Sequence, residues 1–118
     1  MTRRAVFFTD EFQKQIKQLG KRFRSIIDDV EPAIAQLTAG ETPGDRLEGI
    51  RQPVFKVRLP NRDARRGKSG GYRLLYYLST PEQIVLLTIY SKTDVSDIAT
   101  AEILKYLMAW ERENREAG

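Results

Sequence analysis

Apolar positions recur with two different periods along this chain. AVFFT, residues 5–9, is a short unbroken apolar run and predicts a first strand. From Thr9 or Asp10, either of which can cap, the period becomes helical: Phe12, Ile16 and Leu19 share a face and Gly20 ends the element. Phe23, Ile26, Ile27, Val30, Ile34 and Leu37 carry the same period through a second helix from about Lys21 to Gly40, with Pro32 inside it as a kink or seam. VFKVRL, residues 54–59, alternates apolar with basic except at Phe55, and predicts a strand with Lys56 and Arg58 on one face. GYRLLYYLS and QIVLLTIYS, either side of a TPE turn, predict an antiparallel hairpin. Ile103, Leu104, Leu107 and Met108 return to helical spacing near the C-terminus. The intervening ETPGDRLEGIRQP and PNRDARRGKSG have the Gly, Pro, Asn and Asp content of loops. The pattern predicts one α+β domain over residues 1–118, in the order β-α-α-β-β-β-α. It is a small twisted antiparallel sheet with an N-terminal helical hairpin and a C-terminal helix.

Composition removes several chemistries. The chain has 118 residues, enough for one core, and neither cysteine nor histidine. Disulfides, thiolate nucleophiles, histidine bases and the usual zinc sites are therefore excluded. No apolar run approaches the ~18–20 residues that span a bilayer, and the first is too short for a signal-peptide core, so a cytoplasmic protein without membrane contact is expected. The net charge of +4 is unevenly placed. Residues 1–50 balance, residues 51–73 carry +7, residues 74–93 balance, and residues 94–118 carry −3. One segment thus holds the whole positive excess, the footprint of a site for a polyanion. Lys14, Lys17, Lys21, Arg22 and Arg24 read as the wet side of the helical hairpin, whose apolar stripe is taken up by the core.

Within that segment, RRGKSGGYR at residues 65–73 contains the GKS of a phosphate-binding loop. The spelling G-x-x-x-x-G-K-[ST] fails, because position 62 is Arg62, and a strand rather than a helix follows. Nucleotide binding of that kind is excluded. An RNA backbone suits the residues better. Gly67, Gly70 and Gly71 permit positive φ and close approach to a ligand, while Arg62, Arg65, Arg66 and Lys68 supply charge. Tyr72 offers a face on which a base can stack, and Arg73 stands on a rigid strand beside the loop.

VFKVRL, GKSGGYRLLYY and LLTIYSKTDVSDI together resemble the RelE/HigB toxins of bacterial type II toxin–antitoxin systems, most specifically over residues 54–103. The resemblance implies a ribosome-dependent mRNA endonuclease that enters the A site, cuts the bound codon and uses no metal or other cofactor. It implies a basic pair at Lys56 and Arg58, the arginine of the GYR motif at Arg73, and a further cation at Lys92. It also implies a cognate antitoxin, a small DNA-binding protein through which alone operator DNA is reached. That antitoxin would either cover the site or, the favoured mode, bind the N-terminal helices and block ribosome entry. Some members place a tyrosine where this chain has Ile98 and Ala99, which leaves aromatic work to Tyr90 or Tyr72. A gyrase-poisoning relative of the ParE type and an RNA-binding module without chemistry are the alternatives.

Metal-free cleavage by the 2′-OH needs a base, cations on the phosphorane and a donor for the leaving oxygen. Without histidine the base is a lysine, a tyrosine or a carboxylate. Crowding by other cations favours Lys56 or Lys68 for that role, with Arg58 and Arg73 as electrostatic clamps. Asp94 and Asp97 read as N-cap and first-turn residues of the last helix rather than metal ligands.

Overall fold

The computed structural model describes residues 3–67 and 70–117. Its elements are β1 (Ala5–Phe8), α1 (Asp10–Gly20), α2 (Ile26–Thr38), β2 (Asp45–Arg46), β3 (Val54–Leu59), β4 (Tyr72–Thr80), β5 (Gln83–Ser91) and α3 (Thr100–Ala117). None of the described helices is long and apolar enough to cross a membrane.

Of the two candidate caps, Thr9 is the one that caps α1. Its Oγ1 accepts from the Phe12 amide at 3.0 Å and lies 2.9 Å from the carbonyls of both Leu86 and Leu87, so the cap also ties α1 to β5. α2 starts five residues later than the apolar period suggests, because its cap is remote. The Ser25 side chain makes no capping bond, and the carboxylate of Asp63, 38 residues away, accepts the Ser25 amide instead at 2.6 Å. The helix runs through Pro32 to Thr38.

The sheet order is β1-β5-β4-β3-β2. β1 pairs parallel to β5 and every other pair is antiparallel, so the all-antiparallel sheet expected from the sequence is a mixed one. The three-strand meander brings β5 back in the direction of β1, and the helical hairpin delivers β1 to its edge. Hydrophobic alternation carries no information about a partner's direction. The observed order also gains a strand, β2, within the segment read as a loop. Gly44 at φ +88° makes that pairing possible: a Cβ there would lie 2.3 Å from the Lys56 carbonyl, so no side chain fits where the chain closes onto β3.

Each strand has two faces. Val57, Leu59, Tyr72, Leu74 and Leu86 face α1 and α2, and close on Phe12, Leu19, Ile26, Val30 and Leu37. Val54, Leu75, Val85 and Leu87 lie on the opposite face, under Ile103 and Leu107 of α3. Full burial of each such side chain stabilises by about 1.5–3 kcal/mol. Between β4 and β5 the register slips: Tyr76 is opposite Leu86, but Leu75 is opposite Thr88. Leu87 is the additional residue of a β-bulge, and beyond it Ile89 is opposite Leu74 and Tyr90 opposite Arg73.

The β3–β4 connection is a built turn. The backbone of Asn61 exchanges two 2.9 Å hydrogen bonds with Arg66, and its buried side chain accepts from the Ala64 amide at 3.1 Å. Among its described residues, the positive φ falls at Arg65 (54°) and not at a glycine. Gly71 serves packing: a Cβ there would meet the Leu59 carbonyl at 2.1 Å. The role expected of these glycines, positive φ for close approach to a ligand, is corrected accordingly.

Candidate anion-binding site

Arg58, Arg73 and Tyr90 are consecutive Cα partners across β3, β4 and β5, so they form one line on the α3 side of the sheet. Lys56 stands two residues before Arg58 on the same face. Apolar side chains of α3 pack on Val54, Leu75 and Leu87, and Glu102 and Tyr106 of the same helix border a hollow with Tyr90. Arg58 is exposed, Lys56 is half-buried, and Arg73 and Tyr90 are 5% and 6% exposed. One Arg73 guanidinium nitrogen donates to the Tyr72 carbonyl at 3.3 Å.

The connection ahead of α3 closes one side of the row. Oδ1 of Asp97 accepts from Lys56 Nζ at 3.3 Å, from the Tyr90 hydroxyl at 3.4 Å and from the Ile98 amide at 2.9 Å. Partial desolvation pushes the Asp97 carboxyl up, but the Ile98 amide, the Lys56 ammonium and the Tyr90 hydroxyl outweigh it and hold the group below its ordinary range. Burial, reinforced by the Asp97 charge and opposed by Arg73, pushes the Tyr90 phenol up to about 12, so it is a donor at neutral pH. A cleft of about 150 Å³ beside this cluster is lined by Glu48, Lys56, Leu75, Asp97, Ile98 and Ile103.

Lys56, Arg58, Arg73 and Tyr90 are therefore brought together as the sequence suggested. Lys56 faces a carboxylate rather than a crowd of cations, which removes the reason given for making it a base. The other residues go elsewhere. Arg62 donates through Nε to Asp29 Oδ1 at 2.8 Å and through its backbone amide to Asp29 Oδ2 at 3.1 Å, and this hydrogen-bonded charge raises its pKa. It anchors the turn to α2, while its side chain stays 59% exposed. Tyr72 is fully buried on the α1–α2 face, edge-on to Phe23 at 6.0 Å, and cannot stack a base. Burial pushes its hydroxyl well above the ordinary tyrosine range. Lys92 donates to the Ser96 carbonyl and its own amide bonds the Gly71 carbonyl at 2.9 Å, so it fastens two connections together. Arg65 and Arg66 are exposed at the turn. Lys68 lies outside the described residues. Neither Asp94 nor Asp97 belongs to a helix terminus, because α3 begins at Thr100; Asp94 instead pairs with Arg22 at 2.6 Å.

Two carboxylates went unrecognised in the sequence. Asp29 is 2% exposed and occupies a core position of the stripe Ile26, Val30, Ala33, Leu37. A charge inside an apolar stripe was a readable sign of a buried ion pair. Asp97 carries no comparable sign, because only the bulge in β5 brings Tyr90 to it. The apolar stripe of α1 and α2 is not wholly in the core either. Phe8 and Ile27, about half exposed, border a groove of about 560 Å³ with Ile16 and Ile34, on the side of the sheet away from the basic row.

No family model matches the chain. Its fold is similar to the solved structure of TrmO from Pseudomonas aeruginosa, at 17% sequence identity and a TM-score of 0.49, over 77% of this chain. The match spans 37% of that protein, so the chain corresponds to little more than a third of its length. The RelE/HigB identity expected from the sequence is corrected: no family model supports a toxin, and the solved structure named here is not one. The toxin, mRNA-interferase and endoribonuclease assignments, and the gyrase-poison alternative, are withdrawn with it. At this identity and TM-score the likeness transfers no activity of TrmO to this chain.

Proposed function

We propose that this domain binds the phosphate backbone of RNA, through the line Arg58–Arg73–Tyr90 with Lys56 and through Arg65 and Arg66 at the turn. The observation that carries the reading is the alignment of two guanidiniums and a phenol across three adjacent strands, with Arg58 exposed at the end of the line. Guanidinium forks match phosphate oxygens bidentately, and a strand-borne row holds them at fixed spacing. Arg58, Arg65 and Arg66 are the exposed contacts. Arg73, deeper in the sheet, adds field and fixes the row from beneath.

Among the described residues, the basic segment occupies strands and a turn, with no helix projecting from it. That shape suits a single strand or an irregular RNA better than the major groove of a DNA duplex. Binding is expected to be mainly electrostatic. With about three phosphates neutralised, log K falls against log salt with a slope near −2, at about 0.7 per phosphate on a single strand. The test is fluorescence anisotropy of a ten-nucleotide uridine RNA over a salt series. The triple variant Arg58→Ala/Arg65→Ala/Arg66→Ala is expected to lose most of the affinity and most of the slope. An unchanged triple variant, or binding indifferent to salt, overturns the proposal.

A further inference from the structure

Three hydrogen-bond donors of separate origin converge on one oxygen beside the basic row. Lys56 Nζ arrives from β3 at 3.3 Å, the Tyr90 hydroxyl from β5 at 3.4 Å, and the Ile98 amide from the connection ahead of α3 at 2.9 Å. An ammonium, a phenol and a backbone amide meeting at a point are a donor set for an oxyanion, most naturally an oxygen of a phosphate group. The oxygen at that point belongs to Asp97, whose side chain is 69% exposed while that of Lys56 is 31% exposed. The donors are fixed by the sheet and by backbone. Their occupant sits at the rim, where rotation about its side-chain bonds carries it into solvent.

We infer that the convergence of Lys56, Tyr90 and the Ile98 amide is a phosphate-oxygen subsite, and that Asp97 is its built-in occupant, displaced when RNA enters. The inference rests on the RNA-binding reading above. It adds selectivity to that reading. A tethered carboxylate competes for the subsite at an effective concentration of order millimolar, as short flexible tethers do. A free phosphate meets this competition without the help of a neighbouring contact. A strand already anchored at Arg58, Arg65 and Arg66 presents its next phosphate at a comparable local concentration and displaces the carboxylate. The device therefore admits a polyanion and refuses a single one.

The test compares Asp97→Ala, Asp97→Asn and Asp94→Ala, the last removing an equal charge from the same connection but away from Lys56. Affinity for the ten-nucleotide uridine RNA is expected to rise roughly two- to fivefold in Asp97→Ala, the range of an exposed ion pair. The rise is expected to be smaller in Asp97→Asn and in Asp94→Ala, and to vanish when Asp97→Ala is combined with Lys56→Ala. An equal rise in Asp94→Ala, or a rise that survives Lys56→Ala, overturns the inference. The second arm uses inorganic phosphate alone. The Ile98 amide resonance is expected to shift with phosphate in Asp97→Ala and to stay fixed in the wild type, while resonances of the core match in both. An Ile98 amide that responds equally in both proteins also overturns it. If the wild type fails to bind the RNA yet Ile98 responds to phosphate in Asp97→Ala, the RNA reading falls and the subsite stands.

Discussion

The two faces of the sheet are built from alternate residues of the same strands, yet they differ in what covers them. The face toward α1 and α2 is apolar from Val57 to Leu86 and packed against both helices. The face toward α3 is apolar only beneath that helix, at Val54, Leu75, Val85 and Leu87, and becomes cationic at Arg58 and Arg73. The packed face gives stability with no freedom to do more. The half-covered face places charged groups on strands that the packed face already holds rigid, which is how a preorganised site is best supported.

This contrast is sharpest in the core. Leu86→Ala, on the packed face, is expected to destabilise by about 2–5 kcal/mol, while Arg58→Ala on the open half-face leaves stability within about 0.5 kcal/mol. Urea denaturation of the two variants checks both; equal losses would dissolve the distinction between the faces. Next in size is Asp29→Ala, expected to cost about 1–3 kcal/mol, because the buried carboxylate holds both the side chain and the backbone of Arg62. Arg62→Ala is expected to lower stability without lowering RNA affinity, and a selective loss of affinity would return Arg62 to the binding surface.

Alkaline pH separates the faces in another way. Tyr72 and Tyr76 on the packed face and Tyr90 on the other all have raised pKa values, first of all through burial, with Tyr90 reaching about 12. A phenol that keeps its proton longer when folded contributes stability fully present below the unfolded value of about 10 and lost as pH rises through the folded one. Stability is therefore expected to be level below pH ~10 and to fall from there through pH ~12. Tyrosine absorbance and circular dichroism, followed together, should change in one transition; free titration of all tyrosines near pH 10 in a folded chain would contradict it. The smallest effect is expected at the surface: Arg22→Ala removes the exposed pair with Asp94 and should leave the urea midpoint nearly unchanged.

Much of this architecture was legible in periodicity. The helix from Asp10 to Gly20, the strand VFKVRL and the hairpin around TPE follow from residue spacing, because each buries one face locally. What escaped was non-local. The start of α2 depends on a carboxylate from the β3–β4 turn, the parallel pairing of β1 depends on where the meander returns, and β2 depends on a glycine pressed against a carbonyl. For the site, alternation placed Lys56 and Arg58 on one face, and it equally consigned Tyr72 to the interior, one residue from Arg73 on the same strand. The two-residue period over GYRLLYY already places Tyr72 and Arg73 on opposite faces. The fate of Arg62 required knowing that Asp29 is buried. The toxin assignment came from segment resemblance alone, and segments such as GGYR and YSK describe a hairpin entry as readily as an activity.

The bulge at Leu87 acts as a phase slip in the two-residue rhythm of β5. An uninterrupted strand would pair Arg73 with Ile89 and turn Tyr90 toward the helical hairpin, leaving an aliphatic side chain beside the guanidinium. The bulged pairing thus exchanges an aliphatic side chain for a phenol beside Arg73 without altering any residue. Such a site is encoded by where a residue is counted rather than by which residue it is. Pairing β5 without that bulge would erase the row's third member while leaving every one of its residues in the sequence.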